Sequence, residues 1–186
     1  MKMTRGLILG LFIVLLAQLT FLAQHKHAAR PAHAAWAFNP QTLAAARDKA
    51  SAIVIGKVVA IQQAPDTVVS VPGEPDGVVH MPSQRISVEI LKQLKGKMRG
   101  NLVIDRYGTD TRSIADDPPY KLGEIYALFV EPKESEPGTY FTIAPAGRYR
   151  ITNNKLELMP HVAVPFATEL RGKDVAALEH ALTQLP

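Results

Sequence analysis

The sequence predicts a mainly β fold: a small closed or partly open β-barrel of five or six strands, with a short helix before it and a packing helix after it. Three observations carry this. Apolar, often β-branched residues alternate with polar ones in short runs between Gly- and Pro-bearing turns. The first and longest run is broken by a glycine, as a strand bending around a small barrel needs. Helical spacing is confined to the two ends. Closure would remove the exposed edges that such strands otherwise present. A β-sandwich built from the same strands is the competing architecture.

Asn39 is placed to cap, and Pro40 to begin, a short helix that Leu43, Ala44, Ala45 and Ala46 carry toward Ala50. SAIVIGKVVAIQQ, residues 51–63, is too rich in β-branched residues for a helix, and Gly56 marks a bulge or bend. Residues 64–82 hold Pro65, Pro72, Pro75 and Pro82 with Gly73 and Gly77. They read as a long loop or a flexible hairpin pairing residues 67–71 with 78–80. Ile86, Val88 and Ile90 then alternate with Arg85, Ser87 and Glu89, and Leu102 and Ile104 with Asn101 and Asp105, giving two half-buried strands.

Residues 107–122 read as a loop centred on Asp116-Asp117-Pro118-Pro119. Residues 124–130 are apolar on both faces and make the most buried strand. Ser135-Glu136-Pro137-Gly138 turns into a strand over 140–143. Tyr149 and Ile151 alternate with Arg148 and Arg150, and Asn153-Asn154 supplies a tight hairpin turn toward Leu156 and Leu158. A helix closes the chain over 173–185, with Val175, Leu178, Leu182 and Leu185 as its apolar stripe.

Charge is unevenly placed. The 186 residues carry 21 Lys and Arg against 17 Asp and Glu, with a pI near 9.4. Four of the basic residues (Lys2, Arg5, Lys26, Arg30) precede Phe38, and no acid does. The body from Phe38 onward is therefore neutral, 17 against 17.

Residues 1–37 have the layout of a signal peptide or signal anchor. Lys2 and Arg5 precede an uncharged, Leu- and Ile-rich run over 6–24. Ala32-His33-Ala34 and Ala35-Trp36-Ala37 make Ala34 and Ala37 the candidate cleavage positions. The run is also about long enough to span a bilayer, and Lys26 and Arg30 follow it, so an uncleaved anchor stays open. Either way, residues 38–186 form a single domain outside the cytoplasm, secreted or held to the membrane by residues 6–24. There is no cysteine, which excludes a lipidated bacterial N-terminus and disulfide staples. That fits an exported bacterial protein whose core holds by packing alone.

The strand order and several local patterns carry a resemblance. ASAIVIGKVVAI follows a short helix; EILKQLKG, NLVIDRYG, LGEIYALFV and GRYRITNNKLEL follow in turn. Over residues 51–159 this resembles the OB-fold domains of the tissue-inhibitor-of-metalloproteinases and netrin-module type found in exported bacterial proteins. The match is strongest over residues 53–61, at Leu94-Lys95-Gly96, and at Gly123-Glu124 with Tyr126, Leu128 and Phe129. The resemblance implies a protein-binding scaffold. The animal inhibitors chelate a protease's zinc through the amine and carbonyl of an N-terminal cysteine. With no cysteine here, that mechanism carries over to no residue, and fold alone does not fix function.

ISVEILKQLKGKMRGNLVIDRYG, residues 86–108, sets Lys92, Lys95, Lys97 and Arg99 close together with no acid among them. A nucleic-acid grip would interleave aromatics that stack on bases. None lies between Ile86 and Asn101, Tyr107 is the first, and the neutral body would not attract a polyanion. The segment reads as a solvated turn bracketed by Gly96 and Gly100; an anionic surface such as phospholipid or wall polymer is the other reading. Lys95, Lys97, Arg99 and Tyr107 are the candidate surface contacts.

His25, His27 and His33 lie in the export segment, and His80, His161 and His180 are scattered without metal-ligand spacing. No Gly-x-Ser-x-Gly elbow or phosphate-binding glycine loop occurs. Asp116-Asp117 reads as a pair of solvated loop carboxylates. No catalytic residue, metal or cofactor is therefore assigned. The expectation is a non-enzymatic interaction module at the bacterial cell surface or beyond it. Its partner is a protein or cell-envelope component, met on the barrel face or the loops over 64–82 and 107–122. The alternatives are a hydrolase acting on envelope material through a spatially assembled site, and a protease inhibitor that uses a loop.

Overall fold

The computed structural model describes residues 40–70, 78–109, 117–159 and 165–185. The candidate cleavage positions Ala34 and Ala37, the three early histidines, Asn39, Asp116 and His161 lie outside the described residues.

The first helix, α1, spans Leu43–Lys49 and starts later than the Asn39-Pro40 reading placed it. Thr42 caps it, its hydroxyl accepting from the Ala45 N–H at 3.1 Å. The strands are β1 (Ala52–Ser70), β2 (Val78–Lys95), β3 (Leu102–Tyr107), β4 (Ile125–Pro132), β5 (Thr139–Thr142), β6 (Arg148–Thr152) and β7 (Lys155–Leu158). Two helices follow, α2 (Pro165–Leu170), which the sequence reading did not contain, and α3 (Val175–Gln184), capped by the Asp174 carboxylate on the Ala177 N–H at 2.8 Å.

The described strands form one seven-stranded mixed sheet in the order β1-β2-β3-β5-β4-β6-β7, and β4 also pairs with β1. The pairings thus run β1–β2–β3–β5–β4 and return to β1. Every contact in that circuit is antiparallel except β3–β5, where Val103 opposes Thr139 and Ile104 opposes Tyr140 in parallel. The expected hairpin arm is present: Val68 opposes His80, and Ser70 opposes Val78. Its strands continue unbroken into the core strands, so much of the stretch read as a loop is β-structure.

Gly56 is where the bend falls. The β1–β2 register shifts between Ile55 and Gly56, and again between Val58 and Ala60. A Cβ at Gly56 would collide with Val88 Cγ1 and lie 3.1 Å from the Glu89 carbonyl oxygen, so β1 and β2 meet here at backbone distance. Replacing Gly56 by Ala should therefore cost about 1–3 kcal/mol by overpacking. Chemical denaturation measures it, and an unchanged midpoint would show that the strands are not so close.

Alternation divides the core in two. Val54, Val58, Ile86, Val88, Leu102, Ile104, Tyr126, Leu128 and Val130 share one side of the sheet. Ile53, Ile55, Ala127, Phe129, Tyr149 and Leu156 face the other, where Leu43, Phe166, Leu170, Leu178 and Leu182 of the helices cover them. β4 is consequently buried on both faces, as its apolar run indicates. Asn153 and Asn154 take φ of 50° and 62°, the left-handed pair that a two-residue β6–β7 hairpin requires. The outer edge of β7 is covered by the α2–α3 turn, with Leu156 N–H on the Lys173 carbonyl and Gly172 N–H on the Leu156 carbonyl.

Candidate functional site

The same alternation that builds the core carries polar side chains into it. Gln84, Ile86 and Val88 share one face of β2, and Leu102, Ile104 and Arg106 the matching face of β3, with Gln84 opposite Arg106. On β6, Arg148 stands opposite Leu128 of β4 and so points to the same side of the sheet. The two arginines, 2% and 1% exposed, meet Asp117, which is 5% exposed.

The arrangement is a two-guanidinium cradle around one carboxylate. Arg148 Nη2 lies 3.2 Å from Asp117 Oδ1, and Arg106 Nε 3.6 Å from Asp117 Oδ2. The arginines also grip the backbone of that segment: Arg106 Nη2 donates to the Asp117 carbonyl at 2.6 Å, and Arg148 Nη2 to the Pro118 carbonyl. Arg106 Nη1 donates to Gln84 Oε1 at 3.0 Å. The Arg148 guanidinium lies 4.1 Å from the Tyr120 ring centroid and 5.7 Å from that of Tyr126, a buried cation–π contact with an edge-to-face tyrosine pair. Burial holds the Asp117 carboxyl above the usual carboxylate range, against the downward pull of Arg148 and Arg106.

Two sequence-based expectations are corrected here. Asp117 was read as a solvated loop carboxylate, yet it is buried, paired with two arginine guanidiniums on the core side of the sheet. Arg148 was read as a polar position alternating with Tyr149, yet it is buried, because both faces of β6 are covered there. The rows Leu102-x-Ile104-x-Arg106 and Gln84-x-Ile86-x-Val88 held a usable signal, because strict alternation places Arg106 and Gln84 inward. Nothing local marks Arg148.

Three tyrosines are buried, Tyr120 and Tyr126 on the cradle side of the sheet and Tyr149 on the helix side. Burial pushes the Tyr120 hydroxyl up to about 12 and also raises Tyr126, where the hydrogen bond to Glu124 adds to it; Tyr149 is raised by burial beneath α2. A folded-state pKa above the unfolded value of 10.0 gives stability that is present below pH 10 and lost as the pH climbs toward about 12. Phenolate absorbance followed with circular dichroism should show these three of the five tyrosines ionising only as the fold is lost. All five ionising near pH 10 with the dichroism intact would contradict the burial.

On the opposite side of β3, Asp105 joins Arg85 (3.2 Å) and Lys133, and Glu136 closes the network on Arg85 at 2.7 Å and Lys133 at 3.1 Å. Tyr107 lies beside it, half-buried, its ring 5.5 Å from that of Phe141. Of the other candidate contacts, Lys97 and Arg99 are exposed in the turn after β2, where Gly96 and Gly100 take φ of +82° and +74°. Lys95 is half-buried, its ammonium donating to the Arg47 carbonyl and, at 2.6 Å, to the Ala50 carbonyl, where it closes the C-terminal end of α1. Lys92 pairs with Glu179 of α3 at 2.7 Å. The lysine run thus divides: two members tie helices to the sheet and two face solvent.

A cleft of about 520 Å³ opens between α1, the end of β2 and α3, floored by Leu94 and Leu182 and rimmed by Arg47, Asp48, Gln93 and Glu179. The Gln93 amide is turned to its own strand end, donating to the Met98 carbonyl and accepting from the Met98 N–H. Among the described residues no cluster of His, Asp and Glu could hold a metal ion, and no helix is long and apolar enough to cross a membrane. His80 and His180 are exposed and apart. Comparison with protein-family models and with curated proteins finds no match.

Proposed function

We propose that this chain is an exported, non-enzymatic interaction module of OB type, similar to the tissue-inhibitor and netrin-module domains, acting at the bacterial cell surface or beyond it. The observation that supports it best is the pairing circuit. A β1-β2-β3 meander, a parallel β3–β5 contact and the return of β4 to β1 are what a five-stranded OB barrel requires. In this reading β6, β7 and the three helices are additions on its outer side. A signal at residues 1–37 accounts for the positive excess of the chain and leaves the body neutral.

The partner is a protein or an envelope component, met on the barrel surface or on the segments over 64–82 and 107–122. The absence of interleaved aromatics around Lys97 and Arg99 speaks against nucleic acid. The test is affinity capture from envelope and secreted proteins with the chain from Phe38 onward, followed by titration of the purified candidate. A specific complex at micromolar strength is expected. Turnover of envelope material without such a complex would favour the hydrolase alternative. Tight binding to a metalloprotease, lost on changing one loop, would favour the inhibitor. N-terminal sequencing of the native protein decides between cleavage after Ala34 or Ala37 and an intact anchor.

A further inference from the structure

The Arg106–Arg148 cradle is more than core packing requires. Burying a guanidinium is costly unless its charge and donors are met, and this core buries two, converging on one short acidic side chain. Their shared ligand, Asp117, is not on a strand of the sheet's pairing circuit. It sits in the connection between β3 and β4, followed by Pro118 and Pro119, which cannot donate to any ladder. The carboxylate and the next carbonyl enter side by side, as an acidic ligand followed by its backbone would. The Arg148 guanidinium also rests over the Tyr120 ring with Tyr126 beside it, so contacts beyond the carboxylate help to hold it in place.

We propose that Arg106 and Arg148 form an oxyanion receptor on the core side of the sheet, filled in cis by the Asp117 carboxylate, which takes a carboxylate from solution when that side chain is removed. The chemical class follows from the donors: a planar oxyanion satisfies a guanidinium as an apolar or cationic group cannot. The proposal stands apart from the OB reading, because it depends on three side chains and not on the partner or the export route.

Chemical rescue tests it. Asp117→Gly deletes the fragment that acetate restores. In the full chain, acetate should raise the Tm of Asp117→Gly by about 2–4 °C or more over sodium chloride at equal ionic strength, saturably. The wild type should show no acetate-specific rise, since its tethered carboxylate already fills the cradle. Asp117→Gly/Arg148→Met should lose the response. If Asp117→Gly does not fold alone, Asp117→Ser is measured in the same way. Equal response to acetate and chloride in the variant that folds, or an undiminished acetate response without Arg148, would overturn the proposal.

Discussion

Arg148→Met should lower the free energy of unfolding by about 3–5 kcal/mol, because it removes a buried charge and leaves its partner behind. The Asp117 carboxylate would be left with its longer contact to Arg106, and the Pro118 carbonyl would lose its Arg148 donor. The stacking on Tyr120 would also disappear. The distinguishing measurement is a double-mutant cycle in denaturant. Asp117→Leu combined with Arg148→Met should cost clearly less than the sum of the two single changes, since the pair is then removed together. Strict additivity would mean that the two side chains do not interact. A loss below about 1 kcal/mol for Arg148→Met would match a surface position, not a buried one.

Phe129→Ala should have an effect of similar size, about 3–5 kcal/mol, for a different reason. Phe129 is fully buried on the helix side of β4, with its ring 6.4 Å from Tyr149 and 6.5 Å from Phe166. Its loss opens a cavity among β4, β6 and α2 that a backbone paired on both sides cannot close. Phe129→Leu should recover most of the loss, because volume rather than aromaticity is at stake. If alanine and leucine cost the same, the site does not depend on filling.

These two positions also show how much of the molecule was legible. Phe129 could be read: an uninterrupted apolar run marks a strand buried on both faces, and β4 has no polar face because a core cluster lies on each side of it. The Asn153-Asn154 turn and the bend at Gly56 were legible because each depends on local backbone chemistry. The start of α1 was misplaced by a few residues: it was read from Asn39 and Pro40, and the observed cap is Thr42. β1 and β2 proved longer than their apolar cores, because pairing between them carries them past Pro65 and Pro82. The Asp117 cradle was illegible for a plainer reason. It joins residues from β3, β6 and the connection before β4, and sequence spacing carries no information about that meeting. In the lysine run, read as a solvated turn, Lys97 and Arg99 are exposed, whereas Lys95 turns in to the end of α1, a contact that local spacing does not show.

The OB reading depends on the sheet turning back on itself through the β3–β5 and β4–β1 pairings. The most direct test is a set of backbone NOEs from the isotope-labelled chain. Contacts between Val103 and Thr139 and between Ile104 and Tyr140 in parallel register, together with Gly56 against Tyr126, are expected. A β3 that pairs only with β2, with no β5 beside it, would leave the sheet open and contradict the account.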